Sequence, residues 1–350
     1  MKSSVANRVP TAAFLQLSDL HLGEDAADTG AADRGKLTLG AIKKYGGLKM
    51  QAHDPYIFAM LPSSVRSAAR FLGAANDRFD YCFVTGDLST SASSDRRFEF
   101  ARKYLCDEVK IDENYLVGLG LGESTLFCIP GNHDKLFESD RPERYLKSFA
   151  KLPEPPPYKQ EIQIPRSGQQ FLIYAIDSNL YEEGNIAIGK IYPSTMAWLA
   201  QQFEKTPSDF IKGGGVRILV LHHHPADLKP YRKWNLKTFV KSRFRLELTK
   251  LQEGDALLDL CVGNIDLIIH GHEHFPVVFQ NSKAQCVVQS AGTACQFSSS
   301  GEEQNCFHTL MFFNRKVILS QFNWQKPSFR PSRYWETDLD AKTLTGPTEY

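Results

Sequence analysis

No apolar run in the 350-residue chain approaches the roughly 18 residues needed to span a bilayer as a helix. The opening segment MKSSVANRVPTAAFLQL lacks the apolar stretch of about 7–15 residues that a secretory leader carries before a small-residue cleavage site. The cytoplasm is therefore the expected compartment. An excess of one charge sign is also missing. Lys plus Arg number 41 against 40 Asp plus Glu, a formal net charge of +1, so no overall field draws the protein to nucleic acid or an anionic membrane, and any basic surface must be local. CxxC pairs are absent, and the seven cysteines (82, 106, 128, 261, 286, 295 and 306) sit mostly in apolar runs such as YCFV and FCIP. An odd number in such settings argues against a disulfide framework or a thiolate metal site and for small buried hydrophobes in a reducing compartment. There is no internal repeat and no long low-complexity tract. What is present is ordinary for a globular chain: 42% hydrophobic residues, 23% charged residues and a mean hydropathy of −0.33. At about 150 residues per domain, the length allows one large α/β domain or two smaller ones.

Six short β-rich runs each end in a polar cluster: AAFLQL before SDLH, YCFV before TGD, TLFCI before PGNHD, FLIYAI before DSN, VRILVL before HHHP, and IDLII before HGHEH. Helical spacing between most of them predicts helices over 63–76, 95–109 and 193–205, an alternation that argues a layered α/β domain. Beyond residue 275 the texture changes to closely spaced strand candidates, PVVFQ, QCVVQSA, FHTLMFF and KVILSQF, which predicts a mixed or antiparallel sheet. The segment 23–61, with GlyGly at 46–47, reads as a long insertion after the first strand, and such segments tend to be lids or binding loops. PEPPP within 151–158 reads as an extended connector. Residues 326–350 read as a polar, proline-containing surface tail following a single domain over 1–325.

Ten histidines are present, and eight fall in four groups: His21; His133; His222, His223 and His224; and His270, His272 and His274. Each group follows an apolar run, and residues just past the carboxyl ends of strands in open α/β sheets converge on one crevice. Asp19 and His21, spaced i and i+2 at a strand end, are expected to point to one side, and His272 and His274 repeat that spacing. With Asp87 and Asn132, the donors are imidazole nitrogen, carboxylate and amide oxygen without thiolate, which favours Mn, Fe or Zn over a Cys-type structural zinc. With a histidine of the HHHP run they number seven, more than the four to six donors that one ion takes, so two divalent transition-metal ions are implied. His53 and His308 are read as surface or satisfied core, and His224 and His270 as packing residues near the site.

D-x-H at 19–21, GD at 86–87, GNHD at 131–134, an H-x-P segment at 223–225 and GHxH at 271–274 together resemble, in order and type, the five blocks of the calcineurin-like metallophosphoesterases. The resemblance implies a four-layer α/β/β/α sandwich with two mixed central sheets and a dinuclear site. It assigns Asp19, His21 and His274 to the first metal, Asn132, His223 and His272 to the second, and Asp87 to both. His223 is chosen because it stands two residues before Pro225; His222 is the alternative, since neighbouring strand residues face opposite sides and would not readily serve one ion. Asn132 and His133 are expected at the substrate, His133 as the acid, with Asp134 either orienting His133 or capping a following helix. The implied reaction is phosphoester hydrolysis by attack of a metal-bound hydroxide, with manganese the expected metal in vitro.

GDLS in place of a GDxVDRG block disfavours phosphoproteins as substrates. LSDLHLG, IPGNHD, LHHHP and VVQSAGTACQF are similar to the bacterial cyclic-nucleotide phosphodiesterase-like subgroup, which implies phosphodiester substrates, 3′,5′-cyclic nucleotides among them. SDLHLG is also similar to the opening of the Mre11/SbcD nucleases, so nucleic acid is the runner-up, with a phosphomonoester as a further alternative. The stretch 229–250 carries eight Lys or Arg against Glu247 with interleaved aromatics, the composition of a phosphate-tracking surface or of a solvated amphipathic helix. No membrane partner is expected.

Overall fold

The computed structural model describes residues 9–24, 53–135, 143–149, 156–180, 188–207, 209–231, 251–295 and 305–350. Most of the 23–61 insertion, the basic stretch from 232 to 250 and residues 151–155 of the proline-rich connector lie outside them.

The strands, in chain order, are β1 (Ala12–Leu17), β2 (Tyr81–Thr85), β3 (Val109–Asp112), β4 (Tyr115–Val117), β5 (Leu126–Ile129), β6 (Tyr158–Gln163), β7 (Gln170–Ala175), β8 (Gly189–Lys190) and β9 (Val216–Val220). They continue as β10 (Leu251–Gln252), β11 (Leu267–His270), β12 (Val277–Asn281), β13 (Cys286–Ser290), β14 (Cys306–Phe313), β15 (Lys316–Gln325), β16 (Ser328–Asp338) and β17 (Thr343–Glu349). Two mixed sheets dominate. One has the order β17-β16-β15-β14-β1-β2-β5 and the other β12-β13-β11-β9-β7-β6; β3–β4 and β8–β10 form separate two-stranded pairs.

The helices are α1 (Pro55–Phe71), α2 (Asp95–Cys106), α3 (Glu143–Phe149), α4 (Pro193–Glu204) and α5 (Gly254–Cys261). Helix α1 begins at Pro55 rather than at Ser63, because Asp54 caps it by accepting from the backbone N–H groups of Tyr56 (2.8 Å) and Ile57 (3.1 Å), and Pro55 suits the first helical position. No helix among the described residues is long and apolar enough to cross a membrane.

The layering follows from which side chains each strand turns to each face. β1 is buried on both faces: Ala12 and Phe14 join Phe83, Phe171, Ile218 and Leu310 between the sheets, whereas Leu15 and Leu17 pack toward α1, α2 and α3 through Phe58, Phe98 and Tyr145. On the far side, Leu172, Leu219 and Ile268 pack against Leu199 and Phe203 of α4 and Leu257 and Leu258 of α5. The result is the expected four-layer α/β/β/α sandwich. A continuously apolar strand such as AAFLQL is what coverage on both faces requires.

Residues beyond 326 depart from the expected surface tail. They form β16, which pairs with β15, and β17, which pairs with β16; Phe329 and Trp335 are buried, while β17 is largely exposed at the sheet edge. Their prolines are tolerated because Pro331 adjoins a register shift and Pro347 lies on the edge strand. All seven cysteines are free, and six are buried, with burial pushing their thiols up.

His308 on β14 is also buried, and burial pushes its imidazole down to about 4. Between the unfolded value near 6.5 and the folded value, the unfolded chain takes up a proton that the folded one refuses, so acidification through this window lowers stability. Wild type should therefore lose about 3 kcal/mol relative to His308→Met between pH 7 and pH 4 in urea titrations. Parallel pH profiles for the two proteins would sink this reading.

Candidate metal centre

The parallel strands β1, β2 and β5 of one sheet and β7, β9 and β11 of the other end at a common rim. Gln16 ties the sheets just beneath it, donating from Nε2 to the His270 carbonyl oxygen at 2.9 Å. Each loop leaving this rim carries a histidine, carboxylate or amide of the sequence blocks.

Two groups of donor atoms result. In the first, Asp19, His21, Asp87 and His274 each offer an atom within 4.8 Å of the others, with His274 Nε2 3.2 Å from both Asp19 Oδ1 and His21 Nε2. In the second, Asn132 Oδ1 lies 3.0 Å from both His222 Nε2 and His272 Nδ1, and these two nitrogens are 3.2 Å apart. Asp87 faces both: Oδ2 is 3.8 Å from His21 Nε2, and Oδ1 is 3.5 Å from His222 Nε2.

All these residues are buried, and their lone pairs converge. A proton placed between His21 Nε2 and His274 Nε2 leaves Asp19 and Asp87 facing the pair as further acceptors, and a cation at their common point would serve all four together. Burial, followed by neighbouring imidazoles, pushes His21 and His272 well below the ordinary histidine range, which keeps them neutral and able to ligate. Burial alone would raise Asp19; His274, together with His222 and the Ser18 hydroxyl, outweighs it and holds the carboxyl below its usual value.

The convergence has a different local cause from the one expected. Asp19 and His21 lie past the end of β1, and period-two alternation does not aim them. Asp19 (φ 51°), His21 (φ 47°), Asp87 (φ 51°), His272 (φ 75°) and His274 (φ 51°) all occupy the left-handed region, which turns each side chain inward off a tight loop. Such conformations cost of order 1–3 kcal/mol each and persist where the surroundings over-determine them. Gly131 lets the GNHD loop press against Asp87: a Cβ there would come 2.1 Å from Asp87 Oδ1.

His222, rather than the expected His223, is the residue facing Asn132, His272 and Asp87. β9 ends at Val220, so counting back from Pro225 along an extended strand does not locate the inward ring. His222 is aimed by Thr85, whose carbonyl accepts from Nδ1 at 2.7 Å and leaves the Nε2 lone pair directed at the centre. A ring nitrogen of His223 lies within 4.8 Å of nitrogens of His222 and His272, but its Nδ1 is engaged 2.9 Å from Ser178 Oγ.

Asp134 does neither of the things expected of it. Its carboxylate accepts from the backbone N–H groups of Leu88 (3.1 Å), Ser89 (2.9 Å) and Gly131 (2.9 Å), and so clasps the GD loop to the GNHD loop. Burial, then the charge of Asp87, pushes it up to about 7. His133 is oriented instead by the Thr90 carbonyl, 2.9 Å from Nδ1, and its backbone N–H donates to Asp87 Oδ1 at 2.8 Å. Its ring meets His21 edge-on, with centroids 4.7 Å apart, and it is partly exposed at the rim.

His224 Nδ1 lies 3.7 Å from the buried Glu273 Oε1, linking the HHHP and GHEH loops. His53 is buried core: its backbone N–H donates to the His21 carbonyl at 3.0 Å, and its ring Nδ1 accepts from the Gly23 N–H at 3.2 Å. Sequence reasoning assigned no role to Ser178 or to the carbonyls of Thr85 and Thr90. Ser178 was within reach, since DSN ends a strand run as the ligand blocks do; a carbonyl leaves no sequence signal.

The fold and the donor groups define a metallophosphoesterase-type centre. The chain belongs to the calcineurin-like phosphoesterase family, whose model matches residues 12–276. This family uses divalent metal ions, and membership makes the chain a metal-dependent phosphoester hydrolase by class. Similar solved structures include Vps29 from Cryptosporidium parvum (13% identity, 94% of this chain and 99% of that chain covered, TM-score 0.37). They also include a predicted phosphoesterase from Streptococcus pneumoniae (10% identity, 91% and 96% covered, TM-score 0.31) and the Thermus thermophilus sulfate thiohydrolase SoxB (12% identity, 97% and 58% covered, TM-score 0.41). No curated protein shows significant sequence similarity to this chain.

Proposed function

We propose that the protein hydrolyses phosphodiesters, 3′,5′-cyclic nucleotides among them, with two divalent transition-metal ions. Asp19, His21, Asp87 and His274 would hold one, and Asp87, Asn132, His222 and His272 the other. The observation that carries this reading is Asp87, whose two carboxylate oxygens face the two donor groups separately. Two dications against the carboxylates of Asp19 and Asp87 leave the centre net positive toward an anionic phosphoester. When bound, such a pair would lower the pKa of water toward about 7 and neutralise phosphoryl oxygens. Donors without thiolate suit Mn, Fe or Zn, and manganese is the choice for reconstitution.

The chain's own residues then have defined tasks. Thr85 holds His222 with its lone pair inward, and Asp134 locks the two loops that carry Asp87 and Asn132. His133, with Nδ1–H given to the Thr90 carbonyl, presents Nε2 at the partly open rim, where in its protonated form it delivers a proton to the leaving alkoxide. Replacing His133 by Ala should lower kcat by about 10²–10⁴-fold on an alkyl phosphodiester and by much less on a nitrophenyl ester, whose leaving group needs no proton. Equal losses on both substrates would remove the acid role.

Phosphodiester preference is supported by the blocks LSDLHLG, IPGNHD, LHHHP and VVQSAGTACQF. Free buried thiols suit a reducing compartment such as the cytoplasm. One manganese-reconstituted preparation assayed on bis-p-nitrophenyl phosphate, p-nitrophenyl phosphate, cyclic AMP, cyclic GMP and single-stranded DNA tests the reading. Turnover of the diesters, cyclic nucleotides included, is expected to exceed that of the monoester. A monoester preference would overturn it, and a preference for DNA would place the activity with the nucleases.

A further inference from the structure

His222 and His223 are consecutive, yet their neighbours set them to opposite hydrogen-bonding polarity. A carbonyl only accepts, so His222 Nδ1 carries the proton given to Thr85 and Nε2 carries the lone pair. His223 Nδ1 instead meets a hydroxyl, Ser178 Oγ, at 2.9 Å. That same oxygen receives the backbone N–H groups of His222 at 3.3 Å and His223 at 3.1 Å. A hydroxyl oxygen has two lone pairs, and both are taken, so its hydrogen is left for His223 Nδ1. A ring nitrogen that accepts carries no proton; the proton of His223 is on Nε2.

That N–H is fully buried and has no hydrogen-bond partner among the described residues. Nor can the ring readily swing away. Gly189 of β8 packs against it so closely that an added Cβ would meet His223 Cγ, and the His272 ring lies beside it, tilted, with centroids 4.3 Å apart. A protonated nitrogen cannot ligate a cation, and a buried donor without an acceptor is a standing cost that a ligand oxygen would remove.

We infer that His223 is a substrate-binding residue rather than a metal ligand, its Nε2–H donating to a phosphoryl oxygen beside the second donor group, and that Ser178 is the positioning residue that fixes this tautomer. The inference rests on the dinuclear reading above. It concerns a side chain that this reading leaves without a task.

The test uses the full chain loaded with zinc and reads metal content, affinity for inorganic phosphate by calorimetry, and histidine tautomers by ¹⁵N NMR. His223→Ala is expected to keep two metals per chain and to weaken phosphate binding by about 10- to 100-fold, the effect of a hydrogen bond to a charged group. His223→Gln, whose amide N–H can take the place of Nε2–H, should recover most of that loss. Ser178→Ala should keep both metals, weaken phosphate binding and mix the His223 tautomers, whereas His222→Ala should lose one metal.

Loss of a metal from His223→Ala, or unchanged phosphate affinity in it, would overturn the inference. So would a wild-type His223 protonated on Nδ1, a measurement that needs no variant to fold. A wild-type chain that takes up fewer than two metals would instead overturn the dinuclear reading, and the tautomer measurement would still judge His223 on its own.

Discussion

Asp87→Asn is expected to lower kcat/KM for bis-p-nitrophenyl phosphate by about 10³-fold, a loss of about 4 kcal/mol in transition-state stabilisation. The amide is nearly the size of the carboxylate and can still accept the His133 N–H with its oxygen, as Asp87 Oδ1 does at 2.8 Å. What it cannot do is present an acceptor to both sides. The atom then turned toward His21 is an NH₂ group, which repels a cation where the carboxylate oxygen at 3.8 Å would attract one. The substitution also removes a full negative charge from a wholly buried position between the two donor groups. Metal analysis should show fewer than two ions per chain while the circular dichroism spectrum is unchanged. Turnover above a tenth of the wild-type value, with both metals retained, would remove Asp87 from the bridging position and with it the shared-ligand geometry.

Phe14→Ala should destabilise the chain by about 3–5 kcal/mol. Phe14 is fully buried on β1 and touches aromatic rings from both sheets: Phe171 of the second sheet at 4.6 Å between centroids, and Phe312 (5.1 Å), Phe83 (5.5 Å) and Tyr81 (5.6 Å) of its own. Edge-on and tilted contacts of this kind add to the burial of the ring itself. Removing it opens a hole bounded by two sheets that are each hydrogen-bonded and unable to close upon it, so the cavity contribution should be near the upper end of the range. Phe14→Leu should cost less than half as much. Equilibrium urea denaturation measures both, and a loss under 1 kcal/mol for the alanine variant would mean that the inter-sheet core relaxes freely around this position.

Much of the architecture is legible in the chain because each of the six apolar runs is both a strand and the lead-in to a polar block. A run such as VRILVL has to be buried on two faces, and that requirement alone predicts a covered sheet. The start of α1 was missed because its signal is local chemistry, an Asp54–Pro55 cap, and helical periodicity does not register it. The strands beyond residue 326 were missed for the opposite reason: the edge strand β17 and its neighbour β16 carry polar residues and prolines, which in sequence look like a tail.

The residue types at the centre, histidine, carboxylate and asparagine in five ordered blocks, were determined by the sequence alone, because a set of oxygen and nitrogen donors without thiolate already restricts the chemistry. Which of two adjacent histidines turns inward was decided only by tertiary structure. His222 and His223 are chemically identical, and what separates them is a carbonyl from β2 and a hydroxyl from the loop after β7, groups 137 and 45 residues distant in the chain. A side chain's proton follows its neighbours in space, and those neighbours exist only once the two sheets have packed.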